Sequence, residues 1–361
     1  MYKHFIILFL IISSIAKSQI NIQELPNEWI KTKMRMLDGS KDVSEPFLES
    51  KYHRWKFNGQ KLCTSSNPIT RINENCVEYK TEKNFIKTSD ESGYEILKLT
   101  QDSLILIQRI NNIVEKDKVR KYWFVKSSII RNKLLDTFKK DSVIIAIESF
   151  SPVFNGNLSA DISKEFRSKN RFPAFNLIGN IVFFPKKEKL EFEIANTRET
   201  QVIENQKNID FIKETFGKAY KNWNLNDFKI FDKVYLPFII KCNNEQFGNG
   251  LRVTGCSIYY HMNTVDDINK TYSISLQDLE LSNENFLKGL KAIQNNKYDK
   301  AIQYFNKSYE IDHRKIDALY NIANIYSFQK DNINECKYLQ KLKDLEQTEG
   351  INNYNLKCSA L

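Results

Sequence analysis

Residues 178–194 read Ile178-Gly179-Asn180-Ile181-Val182-Phe183-Phe184, Pro185-Lys186-Lys187-Glu188, Lys189-Leu190-Glu191-Phe192-Glu193-Ile194. Two apolar, β-prone runs flank a charged four-residue turn, which predicts two strands joined as a hairpin. Upstream, Ser151-Pro152-Val153-Phe154-Asn155-Gly156-Asn157 leads into a helical stretch from Leu158 to Lys169 that ends at Asn170-Arg171-Phe172-Pro173. Downstream, Phe211, Phe216 and Tyr220 mark the buried face of an amphipathic helix before Trp223, and Val234 to Lys241 reads as a closing strand. The order helix, two strands, helix, strand predicts a compact α+β unit over residues 149–262.

The flanks differ in kind, so the predicted fold class is multidomain α+β. Residues 19–127 carry short alternating strands. Tyr52-His53-Arg54-Trp55-Lys56-Phe57 precedes a turn at Asn58-Gly59, Tyr94 to Leu99 is followed by Ser103 to Ile107 across Gln101-Asp102, and Tyr122-Trp123-Phe124-Val125 closes the series. This pattern predicts an antiparallel barrel or sandwich. A connector follows at 128–148, with a charged helical piece from Arg131 to Lys140 and the apolar run Val143-Ile144-Ile145-Ala146-Ile147. After a linker at 263–282, residues 283–350 read as paired helices, followed by a tail at 351–361.

The first eighteen residues, with Lys3, the apolar run Phe5 to Ile12, and the small residues Ala16 and Ser18, have the three parts of a secretory signal cleaved before Gln19. A membrane anchor is the rival reading, but about twelve apolar residues fall short of the ~20 a spanning helix needs. The six cysteines fall into neighbouring pairs, Cys63 with Cys76, Cys242 with Cys256 and Cys336 with Cys358, one pair in each predicted unit. Six cysteines allow fifteen connectivities, and neighbour pairing is the economical one. Zinc is the alternative, but no C-x-x-C spacing supports it. Disulfides and a signal together predict a periplasmic or secreted protein. The net charge of +10 comes from lysines scattered among acidic residues, without a basic, aromatic-rich block, and so does not point to nucleic acid.

Three resemblances add to these readings. Trp29, the turn Met36-Leu37-Asp38-Gly39-Ser40 and the stretch beginning at Tyr94 resemble the lipocalin-like domains of exported bacterial proteins, some of which bind apolar ligands. The central unit resembles the C-terminal domain of TonB-like proteins of the Bacteroidetes type. The matching positions are Phe154, Gly156, Asn170, Phe172-Pro173, Gly179, Trp223 and Val234 with Leu236-Pro237-Phe238. It departs from that pattern at Asp232-Lys233 and at Asn224-Leu225. Gly289, Tyr298, Ala301 and Phe305 are similar to the marker positions of a tetratricopeptide repeat, with a second, degenerate unit around Ala323 and Cys336. Two such repeats are expected to dock on the central unit or to lean on the 336–358 staple.

The sequence shows no hydrolase, metalloprotease or phosphate-loop motif, so no catalytic residue, cofactor or metal is expected. Gly248-Asn249-Gly250, Ser327 to Lys330 and Asp266-Asp267 read as a turn, a helix end and a linker. The TonB resemblance implies that the last strand forms a sheet edge to which an extended peptide can add. Val234, Tyr235, Leu236, Phe238 and Ile240 would then bind a partner, unless the strand from Leu251 to Met262 already covers that edge. On the helical repeats, Asn283, Phe286, Leu290, Tyr320 and Asn324 occupy positions that usually face a groove, and the alternative is that they pack within the molecule. The expected function is a non-catalytic adaptor for peptide segments of envelope or outer-membrane proteins. The alternative is a carrier of small apolar ligands in the β-domain.

Overall fold

A computed structural model describes residues 20–43, 53–65, 69, 75–196, 202–246, 252–262 and 276–359. The predicted signal segment lies outside them. The fold is α+β, with a nearly closed antiparallel sheet at the N-terminal end and helices at the C-terminal end. Among the described residues no helix is long and apolar enough to cross a membrane.

The N-terminal sheet contains β1 (Glu28–Met36), β2 (Arg54–Asn58), β3 (Lys61–Ser65), β4 (Asn75–Glu78), β5 (Lys80–Glu82), β6 (Phe85–Lys87), β7 (Ser92–Leu99), β8 (Ser103–Ile110) and β9 (Arg120–Lys126). Its spatial order is β4-β3-β2-β1-β9-β8-β7-β6-β5. The two ends of that path, β4 and β5, are separated in sequence by Tyr79 alone, so one stretch of chain brings both edges together. Tyr79 is buried and its N–H donates to the Gln60 carbonyl at 2.8 Å. Period-two alternation explains the strands. In β9, Tyr122 and Phe124 turn inward, while Trp123 faces out between the ammonium groups of Lys33 and Lys121, 5.3 and 4.9 Å from its ring. The β2–β3 loop is Gly59-Gln60, one residue later than the sequence predicts, because Gly59 supplies the left-handed φ of 58° that the two-residue turn needs.

The helix α1 (Ser127–Phe138) leads to β10 (Val143–Ile145), then to β11 (Val153–Phe154) and α2 (Leu158–Ser168). Asn157 caps α2 by accepting from the Ala160 N–H at 3.1 Å. Leu158, Ile162 and Phe166, four residues apart, form its buried stripe. The predicted hairpin is β12 (Phe175–Phe184) with β13 (Lys189–Asn196), paired from Phe184↔Lys189 to Leu177↔Asn196. After α3 (Val202–Phe216) and the short β14 (Trp223–Asn224) come β15 (Lys233–Gln246) and β16 (Arg252–Tyr260). In the central sheet β15 is flanked by β12 on one side and by both β10 and β16 on the other. The predicted connector therefore contributes a parallel strand to this sheet, with Val143↔Lys233 and Ile145↔Tyr235 in register. Its core gathers Phe154, Phe166, Phe183, Trp223, Phe231 and Phe238 on the helix-covered face.

Five helices follow among the described residues: α4 (Leu276–Gln294), α5 (Tyr298–Ile311), α6 (Ile316–Phe328), α7 (Asn332–Asp344) and α8 (Thr348–Lys357). Among the described residues the helices therefore already include Leu276 to Ser282 of the predicted linker and continue through most of the predicted tail. All three expected disulfides are present, Cys63–Cys76, Cys242–Cys256 and Cys336–Cys358.

The 336–358 staple, one of the two expected supports of the helices, is present, and the helices also dock on a surface the sequence did not indicate. The turn between α7 and α8 clasps the β-domain turn at Met36 to Asp42, rather than the central unit. Lys41 N–H donates to the Glu346 carbonyl at 3.1 Å, Gln347 Nε2 to the Lys41 carbonyl at 3.1 Å, and Thr348 N–H to Ser40 Oγ at 3.0 Å. Arg35 pairs with Glu346 at 2.8 Å across the same junction. Polar side chains and main-chain groups carry this contact, so no apolar stripe announces it in the sequence.

Candidate binding surfaces

The predicted peptide-binding strand is β15, and the structure corrects its role. Val234, Leu236, Phe238 and Ile240 are all buried and point into the core against α2 and α3. Their strand is the middle of the sheet, not its edge: Phe183↔Val234 to Phe175↔Cys242 pair it with β12, and Phe238↔Tyr260 to Gln246↔Arg252 pair it with β16. The rival reading, that the following strand covers this edge, holds for its second half: β16 (Arg252–Tyr260) pairs with it from Phe238 onward, while β10 covers Lys233 to Tyr235. Cys242 and Cys256 stand directly opposite each other in that ladder and fasten it covalently. Of the five predicted residues on this strand, Tyr235 alone keeps a partly exposed side chain.

The junction of β10 and β16 on β15 is held by His261, at φ 60°. Its N–H donates to the Pro237 carbonyl at 2.9 Å. Its ring nitrogen Nδ1 lies 3.2 Å from the Ala146 carbonyl, which can only accept, so Nδ1 carries the proton. Nε2 then accepts from Ser151 Oγ at 3.3 Å. A serine hydroxyl on a histidine is the start of a nucleophile–base pair. Here burial pushes the imidazole down to about 4, which makes it a weak base, and each of its polar groups is engaged in joining strands. The arrangement fastens the sheet.

That placement has a measurable consequence. The folded pKa lies below the unfolded value near 6.5, so the unfolded chain takes up the proton first. The contribution to stability is complete above about pH 6.5 and is lost as pH falls toward 4. Between pH 7 and pH 4.5, chemical denaturation is expected to show a loss of stability about 2 kcal/mol larger in the parent than in His261→Gln. Carboxylates and the other histidines contribute alike to parent and variant, so an unchanged slope in the variant would contradict the assignment.

The predicted repeat residues meet a different fate. Tyr320 and Asn324 lie one turn apart on α6 and face a cleft of about 1040 Å³ between the helices and the β-domain. Phe286 on α4 shares their wall, while Asp38, Lys41 and Lys116 of the β-domain form the opposite one. Leu290 instead packs against the helical core. Burial, with Glu349, Asp38 and Asp317 nearby, pushes the Tyr320 phenol up to about 12 despite a bond from the Gly350 main chain. It therefore remains a protonated hydrogen-bond donor at neutral pH. Sequence position identified the helical wall, but nothing local to Asp38 or Lys116 marks the other one.

The β-domain interior is occupied by its own side chains. Trp55 lies 5.0 Å from Tyr94, 5.4 Å from Tyr122 and 4.9 Å from Phe124 between ring centroids, and Phe57 lies 5.4 Å from Tyr79. These contacts account for the apolar faces without a ligand.

No protein-family model matches the chain, and no curated protein sequence matches it significantly.

Proposed function

We propose that this chain is an exported, non-catalytic adaptor that holds an extended polypeptide segment of an envelope protein in the cleft between its β-domain and its C-terminal helices. The observation that carries this reading is the convergence of Tyr320, Asn324 and Phe286 on a cleft whose second wall comes from the other end of the chain. An aromatic and amide wall facing a charged one offers both main-chain hydrogen bonds and apolar anchoring, which peptide recognition needs. At about 1040 Å³ the cleft lies at the upper end of the ~300–1,000 Å³ range of ligand sites. Three disulfides support an oxidising compartment, in agreement with the predicted signal segment. The central unit and the helices retain their resemblances to TonB-like and tetratricopeptide domains as part of this proposal.

A photo-crosslinking side chain placed at Asn324, which is exposed, is expected to capture a defined envelope protein in intact cells. The same group at Leu356, 80% exposed on α8, is expected to capture it at least tenfold less, in line with the share of binding energy that central contacts carry. Equal capture from both positions would sink the cleft reading.

A further inference from the structure

With β15 enclosed, the central sheet has three outward edges, and two of them are protected. On β16, α2 supplies side chains to the ladder: Ser163 Oγ accepts from the Cys256 N–H at 2.8 Å and Ser159 Oγ from the Ile258 N–H at 2.9 Å. On β13, the exposed Lys189, Glu191 and Glu193 line the strand, and Lys189 pairs with Glu191 at 2.6 Å. Charge of this kind discourages strand addition.

Among the described residues, the third edge, β10, has neither device. Ser142 accepts from the Asp232 and Lys233 N–H groups at 2.7 and 3.2 Å, and Ala146 donates to the Tyr235 carbonyl at 2.7 Å. Those residues face β15. By the alternation of a strand, Val143 and Ile145 present their main-chain N–H and C=O to the opposite side, where among the described residues no strand pairs with them. Their side chains are exposed as well, Val143 by 47%, Ile145 by 63% and Ile147 by 40%. An unpaired ladder carrying exposed β-branched residues is the least protected arrangement a sheet edge can have. A groove of about 1220 Å³ runs from this strand across the outer sheet face to Ile178, Tyr235 and Pro237.

We propose that β10 is a second binding surface, which takes an extended segment of another polypeptide as an added strand, with apolar side chains at alternate positions lying over Ile145 and toward the groove. Outward main-chain donors and acceptors specify the occupant. A lipid or small apolar molecule cannot complete a ladder, whereas an extended peptide does so along its length. A second copy of this chain fits less well, because a stable interface needs about 20–30 residues a side and the open strand spans Val143–Ile145. This surface lies on a different unit from the Tyr320 cleft, so either can fail without the other.

The test uses the oxidised full chain and a fluorescein-labelled decapeptide of alternating valine and threonine. Ile145→Pro removes an outward N–H without breaking a bond to β15, and Ile145→Thr keeps that N–H. Saturable anisotropy below about 1 mM peptide is expected for the parent and for Ile145→Thr, with affinity at least tenfold weaker in Ile145→Pro. Peptide should also slow hydrogen exchange at the Val143 and Ile145 amides of the unaltered chain, a readout that does not depend on the proline variant folding. No saturation, undiminished binding by a folded Ile145→Pro, or unchanged exchange would overturn the proposal. So would a concentration-dependent dimer abolished by Ile145→Pro, which would assign the edge to a second copy.

Discussion

Replacing Cys242 and Cys256 together by alanine is expected to lower the stability of the central unit by about 3 kcal/mol, the chain-entropy cost of reopening a loop of this size. The two residues are 14 apart in sequence and face each other across β15 and β16. Against the ~5–15 kcal/mol total of a typical domain, that is a large fraction. Both sulfurs are buried, so part of the loss is packing, and the apparent midpoint should fall by about 10 °C or more. The readout can be localised. Trp29, Trp55 and Trp123 lie in the β-domain, and Trp223 alone reports on the central core. A chain keeping only Trp223 should melt early in the cysteine variant, whereas one keeping only Trp55 should be little changed. Cys63 with Cys76 and Cys336 with Cys358, 13 and 22 apart, should act in the same way on the other two units. Equal loss at both tryptophans would show that the units unfold together, and the one-staple-per-unit reading would fail.

The staples were legible because each links near neighbours within one predicted unit. The hairpins were legible for a related reason: β7 with β8 and β12 with β13 pair across short turns, and alternation alone sets their faces. The enclosure of β15 was not. Val143 to Ile147 is apolar at every position, so no period tells strand from helix, and its parallel partner begins about ninety residues later, at Lys233. Ser159 and Ser163 protect the β16 edge through hydroxyls that in sequence look like ordinary helix-surface residues.

The binding surfaces divide along the same line. Tyr320 and Asn324 could be placed side by side from the sequence because residues four apart share a helix face. Their opposite wall depends on Thr348 and Gln347 reaching Ser40 and Lys41, contacts more than three hundred positions apart. A resemblance identified β15 as an edge because it carries the pattern of the isolated unit. In this chain, added strands on both halves of that side change which backbone is open.

The largest effect on the helical region is expected at Gly289. A Cβ built there would lie 2.6, 2.7 and 2.8 Å from three ring atoms of Phe305. The ring cannot swing away, because Phe305 is fully buried and packs on Phe286 at 5.3 Å. Two terms of opposite sign compete. Removing a glycine from a helix interior gains about 1 kcal/mol of propensity, while overpacking a close helix pair costs about 1–3 kcal/mol. For Gly289→Ala the two nearly offset, leaving a small net loss. For Gly289→Leu the gain is no larger and the clash is much worse, so α4 must move off α5 at a cost of about 3 kcal/mol. Far-UV circular dichroism during urea unfolding measures both. The deciding comparison is Gly289→Ala with Phe305→Leu: if the contact is as close as these distances require, the double variant should be less destabilised than the sum of the singles by about 1 kcal/mol. Strict additivity, or a Gly289→Ala chain more stable than the parent, would mean that the helices do not meet there. The same spacing sets the position of Phe286, so Gly289→Leu should also displace one wall of the cleft. Any loss of capture at Asn324 would then arise from helix position, with every side chain of the cleft still present.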